Sequence, residues 1–116
     1  MSIIKNYNVI LNSIQSVSKE TKLIVVTKNQ QIDNINLLIN LNHFHFGENR
    51  VQDASLKWKN LISNNSQLKL HLIGKLQSNK AKDAFALFDF IHTLDSEKLA
   101  KKFSDLEKSS KKNLKY

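Results

Sequence analysis

The side chains able to do chemistry in this sequence collect just after short apolar runs. Thr27-Lys28 follows Leu23-Ile24-Val25-Val26, and Gly47-Glu48-Asn49-Arg50 follows Phe44-His45-Phe46. Further on, Gly74-Lys75-Leu76-Gln77-Ser78-Asn79-Lys80 follows Leu68 to Ile73, and Thr93-Leu94-Asp95-Ser96 follows Phe90-Ile91-His92. Lys28 has the widest chemical range of these. A lysine whose stem is held in low dielectric loses its proton more readily, and the neutral amine attacks carbonyls to form Schiff bases. The same position also suits a lysine that only lays its stem along the strand end and keeps its head in water.

The other candidates carry structural readings of equal standing. Asn49 stands before a helical pattern with Gln52 three residues on, which reads as an N-cap within a capping box. Gly47 and Gly74, the two glycines of the chain, both fall at strand ends, where positive φ or close backbone approach calls for glycine. They lie too far apart to make a phosphate-binding glycine loop. His43 and His45 form an H-x-H pair that a strand would place on one face, with no further metal ligand nearby in sequence. His71 and His92 read as hydrogen-bonding groups on strands. No Ser/His/Asp arrangement or carboxylate pair stands out.

The elements that must position these residues follow from the hydrophobic period. Ile3, Tyr7, Ile10, Leu11, Ile14 and Val17 predict an amphipathic helix over 2–18. Leu23 to Val26 predicts a buried strand, and Ile32, Ile35, Leu38 and Ile39 a second helix. Phe44-His45-Phe46 gives a second strand. Val51, Ala54, Ser55, Trp58, Leu61 and Ile62 give a third helix. A third strand runs from Leu68 to Ile73, and Ala81, Ala84, Phe85 and Phe88 mark the next helix. Phe90-Ile91-His92 is a fourth strand and Leu99, Phe103 and Leu106 a last helix. The sum is a leading helix and four βα units. Strands joined by crossover helices run parallel, and four such units are half of an eight-unit barrel.

Composition narrows the classes. The chain has 116 residues, enough for a single domain, and 41% hydrophobic residues, enough for a core. With no cysteine, thiol chemistry and Cys-ligated metals are excluded. No apolar run is long enough to span a membrane, the first residues lack a secretory pattern, and a reducing cytoplasm is the expected compartment. The net charge is +8, yet the segment 98–116 holds seven lysines against two acids and so supplies most of the excess. Of the 18 basic residues 17 are lysine, whereas sequence-reading nucleic-acid binders lean on arginine. Two readings from different classes follow. One is a site at the strand ends built around Lys28. The other is a basic interaction module in which the C-terminal lysines, Lys98 to Lys115, contact anionic partners such as RNA.

Four segments carry a family resemblance: Val25-Val26-Thr27-Lys28, then Phe46-Gly47-Glu48-Asn49-Arg50-Val51-Gln52, then His71-Leu72-Ile73-Gly74-Lys75-Leu76-Gln77-Ser78-Asn79-Lys80, then Ile91-His92-Thr93-Leu94-Asp95-Ser96. In this order and spacing the chain resembles the N-terminal half of the pyridoxal phosphate homeostasis proteins (YggS/PROSC type). The resemblance implies an α/β, TIM-like (β/α) barrel of the alanine racemase N-terminal type, here truncated to the leading helix and about four βα units. It implies residues 1–116 as a single partial domain. It further implies pyridoxal 5′-phosphate as cofactor, held as a Schiff base on Lys28 with Asn49 beside it, in a non-catalytic role in cofactor homeostasis. An amino-acid racemase would need a second acid/base on the opposite cofactor face, and neither Tyr7 nor Tyr116 is placed for it. The phosphate-binding loops and the arginine facing the pyridine nitrogen belong to the half that is not in this sequence, which implies impaired binding. Open edges at strands one and four imply self-association or a separately encoded C-terminal half. Asn40-Leu41-Asn42 stands where the family commonly has a glycine.

Overall fold

The computed structural model describes residues 2–116. Its elements, in chain order, are α1 (Ile3–Val17), β1 (Val25–Val26), α2 (Ile32–Asn40), β2 (His45–Glu48), α3 (Val51–Asn64), β3 (Lys69–Leu72), a 3-10 turn (Ser78–Lys80) leading into α4 (Ala81–Leu87), β4 (Phe90–Ile91) and α5 (Glu97–Lys108). The strands form one sheet in the order β1-β2-β3-β4, and every pair is parallel. This is the α/β arrangement that the changes of period predict. The strands are shorter than their apolar runs, because Leu23, Ile24 and Ile73 lie beyond the paired segments.

Register sorts the side chains between two faces. Phe46 pairs with Leu70, and Leu72 pairs with both Glu48 and Ile91. These five residues are all buried, on the face that meets the helices. Trp58 of α3, fully buried, packs its ring 5.1 Å from that of Phe46. Ala84, Phe88, Leu99 and Phe103 complete the core. The opposite face carries Val26, His45, Gly47, His71 and Phe90 in the alternate positions. There Val26 is 47% exposed. The leading helix α1 contributes no fully buried residue and rests on the core through Ile3 and Tyr7.

Local chemistry sets the element ends. Ser2 and Ser96 cap α1 and α5, their hydroxyls accepting from Lys5 N and Leu99 N, each at 3.1 Å. Ser96→Ala is expected to lower stability by about 1 kcal/mol, the usual cost of a lost N-cap, read as a reduced urea midpoint. At the end of α2, Asn42 adopts φ 64°. Its N–H donates to Ile39 O at 2.9 Å, and that of His43 to Leu38 O at 3.1 Å, closing a Schellman motif. Asparagine tolerates the left-handed region, so Asn42 closes the helix at a position where glycine is the usual residue.

Two expectations need correction. The outer edge of β4 is not wholly open: Ile91 N donates to Lys115 O at 2.8 Å and Lys115 N to Asp89 O at 3.1 Å, a parallel bridge to Phe90. Leu114 beside it is buried at 6% exposure, so a fifth parallel segment starts there. His43 and His45 do not share a face either, because β2 begins only at His45. His43 packs on Phe46 and takes the Tyr7 hydroxyl at 2.9 Å, while His45 turns toward His71. Among the described residues no helix is long and apolar enough to cross a membrane.

Candidate functional site at the strand ends

The carboxyl ends of β1 and β2 enclose a cavity of about 350 Å³ lined by Lys28, Asn49, Arg50, Asp53 and Lys57, with Glu48 at its base. Lys28 and Asn49 are thus brought together. Lys28 sits in a tight turn in which Gln30 N donates to Thr27 O at 3.0 Å. Asn29, the next residue, has φ 59°, again a left-handed position that asparagine accepts. The Lys28 side chain is exposed, so the expected burial of its stem is not met. The turn aims the lysine at the cavity and solvent rather than into apolar packing.

Asn49 does not cap α3. The helix starts one residue later than the sequence pattern suggests, with Arg50 in the cap position and no side-chain cap bond. Backbone packing holds Asn49 where it is. A Cβ built on Gly74 would lie 2.2 Å from Asn49 O and 2.9 Å from its carbonyl carbon. Neither glycine has positive φ, so close approach is the reason for Gly74. Gly74 O in turn accepts the Thr93 hydroxyl at 2.6 Å, which ties the ends of β2, β3 and β4 to one another. Asn49 and Arg50 also border a second cavity of about 320 Å³ shared with Lys75, Gln77 and Lys80.

Glu48 is the residue whose role the sequence did not reveal. Its carboxylate is buried at 2% exposure. Oε2 accepts from Lys57 Nζ and from Trp58 Nε1, both at 3.1 Å, and from the Thr27 hydroxyl. Lys57 Nζ also donates to Thr27 O at 2.6 Å. A buried carboxylate without such partners would be very costly. The available signal was alternation: Glu48 shares the core-facing side of β2 with Phe46, so it had to find donors in α3.

On the opposite face of the sheet, three imidazoles form a hydrogen-bonded row. His45 Nδ1 lies 2.9 Å from His71 Nε2, and His71 Nδ1 lies 2.9 Å from His92 Nε2. The ring of Phe90 stacks on His71 with centroids 4.1 Å apart. Burial, with His45 and His92 on either side, pushes His71 down to about 4, and burial lowers His43 and His45 as well. The Tyr7 hydroxyl is committed to His43, and Tyr116 donates to Glu107 Oε1 at 2.9 Å.

Some of the C-terminal lysines have partners within the chain. Lys112 lies over the Phe85 ring and Lys115 over the Phe90 ring, each at 5.6 Å. Lys102 donates to Ser78 O at 3.1 Å. Three of the seven therefore also engage neighbouring groups, while Lys102 and Lys115 remain exposed.

A parallel α/β sheet with its polar groups gathered at the strand ends is the class of protein that binds ligands at that rim. Comparison with known proteins narrows the class. The chain is 44% identical over 82 residues to the pyridoxal phosphate homeostasis protein of Buchnera aphidicola subsp. Schizaphis graminum, covering 71% of this chain and 35% of that protein. The protein of the same name from Haemophilus influenzae is 33% identical over 118 residues, covering 96% of this chain and 50% of its own length. Among solved structures, PipY of Synechococcus elongatus PCC7942 with PLP bound superposes with a TM-score of 0.73 at 39% identity, over 84% of this chain and 48% of PipY. PipY without PLP gives 0.81 at 38% identity, over 90% and 48%. No family model matches the chain. The resemblance read from the four motifs is borne out: the chain is a relative of the pyridoxal phosphate homeostasis proteins, and it spans half or less of the length of these curated relatives.

Proposed function

We propose that this chain is the N-terminal half of a TIM-like barrel and binds pyridoxal 5′-phosphate as a Schiff base on Lys28, serving cofactor homeostasis without turnover. The observation that carries the reading is the placement of Lys28 in the strand-end cavity with Asn49 and Arg50. A primary amine beside a guanidinium suits an aldehyde that also bears an anion. PipY, related over most of this chain, holds PLP in its solved structure. Asn49, with its backbone fixed against Gly74, lies beside the cofactor in this reading.

Residues 1–116 are taken as a single partial domain. In barrels of this kind the phosphate is gripped mainly by loops after strands seven and eight. The 116 residues alone are therefore expected to bind more weakly than a chain with all eight strands. The cytoplasm remains the compartment that fits this role.

Reductive trapping tests the proposal. The chain is mixed with pyridoxal phosphate, reduced with borohydride, digested and mapped by mass spectrometry. The expected result is one saturable pyridoxyl adduct on Lys28, absent from Lys28→Ala. Adducts spread over the surface lysines, unchanged in that variant, would overturn it. They would instead return attention to the cationic C-terminal segment.

A further inference from the structure

The strand-end cavity is lined by two primary amines, Lys28 and Lys57, and the structure treats them differently. Lys57 is half-buried, its Nζ held between Glu48 Oε2 at 3.1 Å and Thr27 O at 2.6 Å. Thr27 O is also the carbonyl that closes the turn carrying Lys28. Glu48 is fixed independently by the Trp58 indole and the Thr27 hydroxyl, so it cannot swing away from Lys57 without leaving those donors unpaired. An amine attacks a carbonyl through a lone pair on a nitrogen free to approach it, and a nitrogen held by two acceptors in the cavity wall must first give up both bonds.

We infer that Glu48 is a specificity-determining residue: by holding the Lys57 Nζ between its own carboxylate and Thr27 O, it keeps that amine engaged and leaves Lys28 as the one cavity amine open to a carbonyl ligand. The carbonyl that receives Lys57 is the one that closes the Lys28 turn, while the Lys28 side chain itself takes no part in the clamp. The inference rests on the reading of Lys28 as the cofactor lysine, but part of its test is independent of that reading.

Competitive acetylation supplies the independent part. The intact chain and Glu48→Gln are treated briefly with limiting acetic anhydride. Labelling of Lys28 and Lys57 is measured by peptide mass spectrometry against Lys59, an exposed lysine on the same helix. In the wild-type chain Lys57 is expected to react at least about tenfold more slowly than Lys59, the scale set by a charge-assisted hydrogen bond. In Glu48→Gln, Lys57 is expected to rise about fivefold or more while Lys28 and Lys59 stay level. General loosening of the fold would instead raise the protected lysines together. Glu48→Asp, which keeps the charge but draws it back from Lys57, covers the case in which the Gln variant does not fold; Lys57 labelling is expected to rise there too. Lys57 reacting as fast as Lys59 in the wild type, or no rise in the folded variants, would overturn the inference.

The second arm uses pyridoxal phosphate and borohydride. The wild type is expected to carry its adduct on Lys28, and Glu48→Gln on Lys28 and Lys57 together. An adduct confined to Lys28 in both chains overturns the inference while leaving the function intact. No Lys28 adduct in the wild type counts against the function, and the acetylation result then decides the role of Glu48 alone.

Discussion

Gly74→Ala is expected to lower the stability of this chain by about 3 kcal/mol, the upper range of small-to-large strain, and its midpoint of thermal unfolding by about 10 °C. The size of the effect follows from what the new methyl meets. It would lie 2.2 Å from the carbonyl oxygen of Asn49, and that oxygen belongs to backbone rather than to a side chain able to rotate aside. Relief requires the end of β2 to move away from the end of β3. Thr93 bonded to Gly74 O, and the ladder hydrogen bond from Ile73 N to Glu48 O at 3.0 Å, resist that movement. Gly47 offers an internal comparison. A Cβ there would meet Ile24 Cγ2 at 3.1 Å, a side-chain atom that can give, so Gly47→Ala is expected to cost about 1 kcal/mol. Equal melting of the two variants would show that the strand ends are more pliable than this packing implies. Because the displaced group is Asn49, Gly74→Ala is also expected to weaken trapping at Lys28 more than Gly47→Ala does.

Acid is expected to weaken the chain through His71. In the unfolded chain a histidine takes its proton near pH 6.5, whereas in the folded chain His71 does so only near 4. Between those values the unfolded state binds more protons, so stability rises with pH there. The contribution is complete above about pH 6.5, is lost progressively as pH falls toward 4, and does not change further below that. Its size is expected to be about 2 kcal/mol, below the full value of the shift because water screens the exposed His92 end of the row. Lys22, Lys69 and Asp89 act on the same row through His45, the lysines opposing its protonation and the aspartate favouring it. Urea unfolding at pH 7 and pH 4.5 measures the effect, and His71→Gln supplies the reference. The fall between the two pH values should shrink by most of that amount in the variant. An unchanged fall would assign the acid sensitivity to other groups, His43, His45 or the carboxylates.

The course of the fold was legible because this chain switches hydrophobic period at nearly every element boundary. The apolar runs at Val25, Phe46, Leu70 and Ile91 became four parallel strands, and the 3.6-residue patterns became the helices between them. What escaped the pattern was set by contacts remote in sequence. The start of α3 lies one residue later where Gly74, from the bend after β3, packs against the backbone of Asn49. The bond network of Glu48 depends on a lysine and a tryptophan one helix away, and nothing local in the GEN segment announces them. The pairing of Lys115 with β4 was hidden because two residues are too few to show a period. At the site itself, residue type and motif identified Lys28 and Asn49 as candidates. Only the structure shows that Lys28 is exposed and that a second amine stands in the same cavity.

The order of the sheet also bears on how the chain reaches this state. Each strand is hydrogen-bonded to the strand just before it in sequence, from β1 through β4 to the segment at Lys115. No strand has to wait for a distant partner, and each newly made strand finds an edge already formed. Such a molecule can assemble in the direction in which it is translated, adding one βα unit at a time as the polypeptide leaves the ribosome.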